Sequence, residues 1–496
     1  MKQIILIFIS FLNFSLAQFK NSHIYPNRTG IVQLFEWKFT DIAQECKFLA
    51  EVGYGAVQIS PVHESKVDDS YSWYLRYQPV SYKIISRSGD IEEFKAMVKE
   101  CNDLEIRVYV DVVLNHMAGG ENEVYGNDRS TAEPLKLNYP AVPYTNSDFN
   151  ENCAIINFGN AFEIRNCRVD KLPDLNQASE IVRDKIVDFM NELIDCGIAG
   201  FRIDSAKNIW PNDLSVIYGR LKDLNENFDF LPKSKPFIYQ EIVDLGGEAV
   251  SKTEYTGIGA ITEYLHSKEL GLIFQGKKPM HDLLKWGPER GFVPSKDAVV
   301  FIDNHDNQRL FLRGFTEILN YKDEKRYILA NIFMLANPFG LVKIMSSFEF
   351  TDAYDGPPQE ENHKITEPKI NANLQCERPW VCEHRWLPII EMIKFRNVVG
   401  NSSITNWADN GQNQVAFCRG NLGFVAFNNE LSLNMKTTQK TCLRSGKYCD
   451  VLSGGKVDNT CVGEEILVEE DGKAEIVISW EKDIPAIAIH VGSKIE

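Results

Sequence analysis

The stretch GIAGFRIDSAKNIW, residues 197–210, is an apolar strand that carries two charges. Alternation along a strand puts Arg202 and Asp204 on the same face. Burying both costs several kcal/mol each unless the charges are paired or put to use. Similar β-rich runs recur on either side: IVQLFEW (31–37), GAVQISP (55–61), RVYVDVV (107–113), FIYQEI (237–242), GAITEY (259–264), AVVFIDN (298–304) and GLVKIMS (340–346). Each is followed by helix-like amphipathic sequence. Continuous rather than alternating hydrophobicity suits parallel strands covered on both faces. Eight strand–helix units predict an α/β chain folded as a (β/α)8 TIM barrel, for which roughly 250 residues is typical.

The gap between the third and fourth runs is too long for one helix. Residues 117–184 are rich in Asn, Pro and Gly and carry two cysteines, which reads as a loop domain inserted after strand 3. The barrel is then expected from residues 18–116 and 185–396. From residue 397 the character changes to short strands with turn signals, among them QVAFCRG, FVAFNN and AIAIHV, predicting a C-terminal antiparallel β-sandwich over 397–496. The polar stretch 350–375 follows the eighth run, and a loop that long in a compact domain is usually functional or mobile.

The 496 residues are 44% hydrophobic and 25% charged, an ordinary globular balance. A net charge of −16 with no basic stripe argues against nucleic acid or an anionic membrane as partner. The leader MKQIILIFISFLNFSLA has a lysine, an apolar run too short to span a bilayer, and a small-residue cleavage site. Residues 1–17 therefore read as a secretory signal, and a soluble extracellular protein is expected. Eleven cysteines fit an oxidising compartment. Close pairs suggest the bridges Cys153–Cys167, Cys376–Cys382 and Cys449–Cys461. Cys46 and Cys101 sit on two predicted helices and can meet only if those helices are neighbours. The odd count leaves one thiol, read as Cys196 in an apolar segment. Asn27 and Asn401 begin glycosylation sequons.

In barrels of this kind the active site is built from the C-terminal ends of the strands. Asp204 ends the fourth run, Glu241 the fifth, and Asp306 lies just past the seventh. Asp111, Asn115 and His116 reach the same rim from the third. Three acids at one mouth shift each other's protonation, which is what cleavage of a glycosidic bond needs: one carboxylate to attack, another to hold a proton for the leaving oxygen. The plainer role for such residues is capping the helix that follows.

DVVLNH, GFRIDSAKN, YQEIVD and FIDNHDNQR, in that order, resemble the four signature segments of the α-amylase family of glycoside hydrolases. The flanks LFEWKF, RYQPVSYKI, FMLANPFG, WVCEHRW and GKYCDVLSG resemble the animal, chloride-dependent branch with an arthropod character, and the likeness spans nearly all of the mature chain. The resemblance implies an endo-acting hydrolase of internal α-1,4 bonds in starch and glycogen, retaining, monomeric, and secreted into a digestive lumen. It implies Asp204 as nucleophile, Glu241 as general acid and base, and Asp306 as stabiliser of the transition state. It places His116 and His305 on the sugar at the scissile bond, Lys207 on the next sugar, and Trp73, Tyr74, Tyr77 and Gln78 of SWYLRYQP in the substrate groove. The family often has a second tryptophan where this chain has Tyr74.

The resemblance also implies two ions. Chloride would lie among Arg202, Asn304 and Lys343, where vertebrate relatives have arginine in place of Lys343; lysine offers a point charge rather than a fork. Calcium would be held by the side chains of Asn115 and Asp174 and the carbonyls of Arg165 and Asn208, all oxygens as a hard cation requires. Taken alone, Asp174 suits a helix N-cap. The family usually has histidine at position 208. Two further departures stand out: LFLRGF (310–315) replaces the glycine-rich loop of vertebrate enzymes, and Ile85 and Ala118 stand near the positions of a vertebrate disulfide. Cys418 and Cys442 then remain as an extra bridge in the sandwich. An α-glucosidase and a non-catalytic glucan-binding barrel are the competing readings, and the flanks and the three retained acids count against them.

Overall fold

The computed structural model describes residues 18–309 and 316–495. The expected signal segment 1–17 and the LFLRGF stretch 310–315 lie outside the described residues. Eight strands form the barrel: β1 (Thr29–Leu34), β2 (Tyr54–Ile59), β3 (Arg107–Val113), β4 (Gly200–Asp204), β5 (Phe237–Gln240), β6 (Ala260–Thr262), β7 (Ala298–Val300) and β8 (Leu341–Ser346). They pair in sequence order, all parallel, and β8 closes on β1 with Ile31 opposite Lys343. Every residue of β2, β3 and β4 is buried, which is why these runs read as continuously apolar.

The outer layer holds α1 (Phe39–Val52), α2 (Ile91–Asp103), α3 (Glu180–Asp195), α4 (Pro211–Gly219), α5 (Tyr264–Phe274), α6 (Lys325–Ala336) and α7 (Leu387–Val399). Local chemistry sets their ends. Gly53 closes α1 in the left-handed region (φ 96°), its N–H bonding Leu49 O. Asp90 and Glu93 form a reciprocal capping box at the start of α2. The expectation that each strand leads into a helix fails once. Between β5 and β6 the chain makes only a single 3-10 turn, Lys252–Glu254. Residues 241–250 are instead drawn over the barrel mouth, where Glu241, Val243 and Glu248 line the cleft.

Residues between β3 and α3 form short elements around the buried rings of Tyr139, Tyr144 and Phe149. One of them, Val124–Gly126, joins a four-stranded antiparallel sheet with His63–Val67 and Pro79–Ile84 from the β2–α2 connection. The excursion is tied back to the end of β3 by Leu175 N–H to Asn115 O (2.9 Å) and Gln177 Nε2 to Leu114 O (3.0 Å). The disulfide Cys153–Cys167 closes a loop within it, and Cys46–Cys101 joins α1 to α2. Cys376–Cys382, Cys418–Cys442 and Cys449–Cys461 complete the bridges seen. Cys196 is free and buried, and burial pushes its thiol up to about 11.

The C-terminal part is an antiparallel β domain. Its inner sheet is Ile404–Asp409, Gln414–Arg419, Gly423–Asn428 and Ala486–His490. Alternation divides this sheet between two cores. Val415, Phe417, Val425 and Phe427 pack toward the barrel helices, and Ala416, Cys418, Phe424 and Ala426 pack against the outer strands. Two buried arginines staple the junction: Arg396 Nη1 donates to Leu335 O (3.1 Å), and Arg419 donates to Ala336 O, Gly400 O and Ser402 O. They satisfy carbonyls at the C-terminal end of α6 that the helix leaves unpaired. The Arg419→Met variant strands these acceptors in a dry interface. We expect it to lower stability to chemical denaturation by about 3 kcal/mol, followed by the fluorescence midpoint; a change below about 0.5 kcal/mol contradicts the staple.

Candidate active site

Arg202 points from β4 into the barrel and gathers acids from three strands. Its Nη1 lies 2.8 Å from Asp204 Oδ1, and 2.8 and 2.9 Å from the two oxygens of Asp111 on β3. Its Nη2 lies 2.8 Å from Glu241 Oε1 and 3.9 Å from Asp306 Oδ2. The two charges of the opening stretch are therefore paired, with each other and with neighbours. Asp204 and Glu241 flank one guanidinium. Asp306 stands outermost, its side chain 41% exposed against 8% for Asp204 and 10% for Glu241.

Glu241 is positioned on both oxygens. The Ser205 N–H donates to Oε2 (2.8 Å) and the Tyr264 hydroxyl to Oε1 (2.9 Å); Asn304 Nδ2 in turn donates to that hydroxyl (2.8 Å). Ser205 reaches Glu241 from a left-handed backbone (φ 47°), a conformation non-glycine residues rarely adopt. Burial acts to raise the Glu241 carboxyl, but Arg202 and these donors outweigh it and hold the group below its ordinary value. Burial lifts Asp204 well above the usual carboxylate range against the pull of Arg202, with Glu241 and Asp111 adding to the rise. Desolvation by the surrounding walls of the cleft and the charge of Glu241 push Asp306 up to about 7, although its outer side stays open to the cleft.

These acids open into a cleft of about 790 Å³ lined by Trp73, Tyr74, Tyr77, Gln78, His116, Lys207 and His305, with Val243, Arg309 and Tyr354 among the rest. Trp73 and Tyr74 are half-buried and present their rings to the groove, whereas Tyr77 is buried; it stacks on His305 (5.0 Å, 6°) and donates to Asp111 Oδ2 (2.9 Å). Both His116 nitrogens are engaged within the protein, Nε2 by the Tyr77 carbonyl (2.9 Å) and Nδ1 by the Asn115 amide (3.3 Å), so the ring borders the cleft already fixed in place. Gln78 Oε1 accepts from Gly119 N–H (3.2 Å). Lys207 pairs with Glu248 and donates to Val243 O (2.6 Å), both of which also line the cleft.

Asn115 Oδ1 and Asp174 Oδ1 are buried without hydrogen-bond partners, and burial pushes the Asp174 carboxyl up to about 7. Asp174 is not a helix cap: α3 begins after Ser179. Its Oδ2 accepts from Asn150 Nδ2 (2.8 Å). Arg165 turns its side chain away, to Glu254 (2.8 Å) and over Trp210 (4.7 Å), and Asn208 Nδ2 donates to Ile164 O (2.8 Å) across the same seam. Orphaned oxygens on both sides of the seam fit a hard divalent cation. Among the described residues no cluster of three or more His, Cys, Asp or Glu forms a metal group, so such an ion would depend on carbonyl and amide oxygens. At the second site, Lys343 is a buried cation lowered to about 7 by burial and by Arg202, and Arg202 Nη2 has no aligned hydrogen-bond partner. Two neighbouring buried basic side chains fit an anion, which would compete with the Glu241 carboxylate 2.8 Å from Arg202 Nη2.

Sequence reasoning did not single out Gln33, Gln58, Tyr264 or Arg309 as parts of the site. Gln33 and Gln58 carried a usable signal, since each is a polar residue on the inward side of an apolar run, as Arg202 is. Tyr264 and Arg309 follow their strands, and nothing local marks them.

The sequence matches the family description "Alpha amylase, catalytic domain" over residues 36–269 and "Alpha amylase, C-terminal all-beta domain" over 404–492. It is 47% identical over 477 residues to an α-amylase of Tenebrio molitor, covering 96% of this chain and all of that one. It is 45% identical over 486 residues to an α-amylase-related protein of Drosophila willistoni, covering 98% of each. The solved structure of α-amylase I from Eisenia fetida with maltohexaose superposes with a TM-score of 0.89 at 39% identity, covering 94% of this chain and 98% of that one. The chain belongs to the animal-type α-amylase family and is a glycoside hydrolase.

Proposed function

We propose that this protein is a secreted, monomeric, endo-acting α-amylase that cleaves internal α-1,4 bonds of starch and glycogen by double displacement. The observation that supports it most is the common guanidinium between Asp204 and Glu241 at the mouth of an aromatic-walled cleft. In this reading Asp204 attacks the anomeric carbon while Glu241 gives its proton to the departing glycosidic oxygen. The first product leaves, and Glu241 then takes a proton from water as the hydroxide oxygen displaces Asp204. Asp306 and His305 hold the distorted sugar, His116 borders it, and Lys207 holds the next one. Trp73 and Tyr74 stack sugar faces, with Tyr77 and Gln78 supporting the groove wall. Secretion rests on the leader at 1–17 and the disulfides, and no described helix is long and apolar enough to cross a membrane.

The proton order is what the chloride assignment has to account for. With Arg202 Nη2 directly on Glu241, the acid is held low and the nucleophile high, the reverse of what the reaction needs. Arg202, Asn304 and Lys343 would hold the chloride, whose negative charge would offset the pull of Arg202 on Glu241 and favour the protonated carboxyl. Asn115, Asp174 and the carbonyls of Arg165 and Asn208 would hold the calcium, which would add oxygen coordination across the seam between the barrel and the excursion after β3.

Three outcomes follow. Glu241→Gln is expected to cut kcat on soluble starch by about 10²- to 10⁴-fold, assayed as reducing ends; turnover equal to wild type sinks the assignment. In halide-free buffer the acid form of Glu241 is lost as pH rises through its lowered value, so the alkaline limb of kcat/KM moves to lower pH and chloride returns it upward. A limb that ignores chloride refutes the anion's part. Removing calcium with EGTA should lower the thermal midpoint and activity together, both restored by calcium in wild type but not in Asp174→Asn at the same concentration.

A further inference from the structure

Behind the acids lies a second polar layer that the reaction as written does not use. Gln33 of β1, Gln58 of β2 and Lys343 of β8 all point into the barrel and are almost fully buried; Gln33 and Gln58 stand side by side in register. Lys343 Nζ donates to Gln33 Oε1 (2.8 Å) and to Gln58 Oε1 (3.0 Å), and the Tyr239 hydroxyl also donates to Gln58 Oε1 (2.9 Å). Below its lowered value of about 7 Lys343 is an ammonium, with donors and no acceptor, so it decides which end of each amide faces it. The amide nitrogens must therefore point away. Gln33 Nε2 lies 2.8 Å from His305 Nδ1, and Gln58 Nε2 lies 3.5 Å from Asp111 Oδ2.

The contact with His305 has a chemical consequence. The ring is held by stacking on Tyr77 (5.0 Å) and Phe35 (4.9 Å), which fix its plane but not the position of its proton. Burial, Arg202 and Lys343 keep the imidazole neutral, so it carries one N–H. A donor at Nδ1 requires a lone pair there, which leaves the hydrogen on Nε2. Nε2 lies 3.3 Å from Asp306 Oδ2 and has no aligned partner within the protein.

We propose that Gln33 is a positioning residue that sets the tautomer of His305. Lys343 turns the Gln33 amide so that its N–H occupies Nδ1, and the Nε2–H is thereby presented beside Asp306 as a donor to the substrate hydroxyl. Gln33 touches neither sugar nor reacting atom. This rests on the amylase reading for the reaction it serves, but the ring proton itself can be read without substrate.

The test is a long-range proton–nitrogen NMR spectrum of the nine histidines, with His305 assigned by loss of its signal in His305→Asn. Wild type is expected to show His305 as the Nε2–H form at about pH 6, where Lys343 keeps its proton and an ordinary histidine, with a value of about 6.5, would be mostly charged. Gln33→Glu keeps the shape and the partnership with Lys343 but offers only acceptors, so the proton should move to Nδ1. kcat on starch should then fall about 10- to 100-fold with KM altered much less, and Gln33→Met should fall less than Gln33→Glu. An Nδ1–H wild type overturns the proposal without any variant. So does a Gln33→Glu protein that keeps the Nε2–H form, or one whose tautomer moves while kcat stays within about twofold of wild type. A wild type that releases no reducing sugar from starch defeats the reaction instead, and is recognised as such because the tautomer spectrum is unaffected.

Discussion

The site is organised around one buried cation. Arg202 is held 1% exposed in the middle of β4, within 3 Å of acids contributed by β3, β4 and the residue after β5. Its charge is the reason four carboxylates can share the mouth of one barrel, and its planar fork determines which oxygens they turn inward. Removing it leaves uncompensated charges in a space from which water is largely excluded, a cost of several kcal/mol. Closure of the barrel, the left-handed turn at Ser205 and the placement of Tyr264 all serve to keep that arrangement fixed.

The layers around it have separable duties. The excursion after β3 builds one wall of the cleft and meets the barrel at a seam of unpaired oxygens. The 350–375 segment supplies Ala353 and Tyr354 to the cleft: the Trp73 indole donates to Ala353 O (2.8 Å), and Tyr354 stands edge-on to Tyr74 (5.6 Å). The C-terminal β domain stands away from the chemistry. Its inner sheet shares one face with the barrel helices, so its contribution is to the stability of α6 and α7.

Much of this was legible in the chain. Strands buried on both faces announce themselves as apolar runs: six barrel strands fall inside the runs read from sequence, and β1 and β2 begin two residues and one residue before theirs. Asp204, Glu241 and Asp306 were legible because strand ends in such a barrel converge on one rim. The missing helix after β5 was not legible, because an amphipathic pattern does not say whether a segment will be drawn over the mouth instead. Nor was the occupation of His116 by the Tyr77 carbonyl, which depends on a 3-10 turn at Trp73–Tyr77 that brings a backbone oxygen to the ring. Lys343 was singled out, and Gln33 and Gln58 were marked by being polar residues in apolar runs, but the contact among the three was not legible, because it depends on the register that sets the two glutamines side by side.

The central claim is that Asp204 and Glu241 act on a single sugar from opposite sides of its anomeric bond. The most direct measurement is proton NMR of maltopentaose during its first seconds with the enzyme, before the freed ends mutarotate. The account predicts that new reducing ends appear as the α anomer. Appearance of the β anomer first would mean that water, not Asp204, attacks the sugar, and would contradict it.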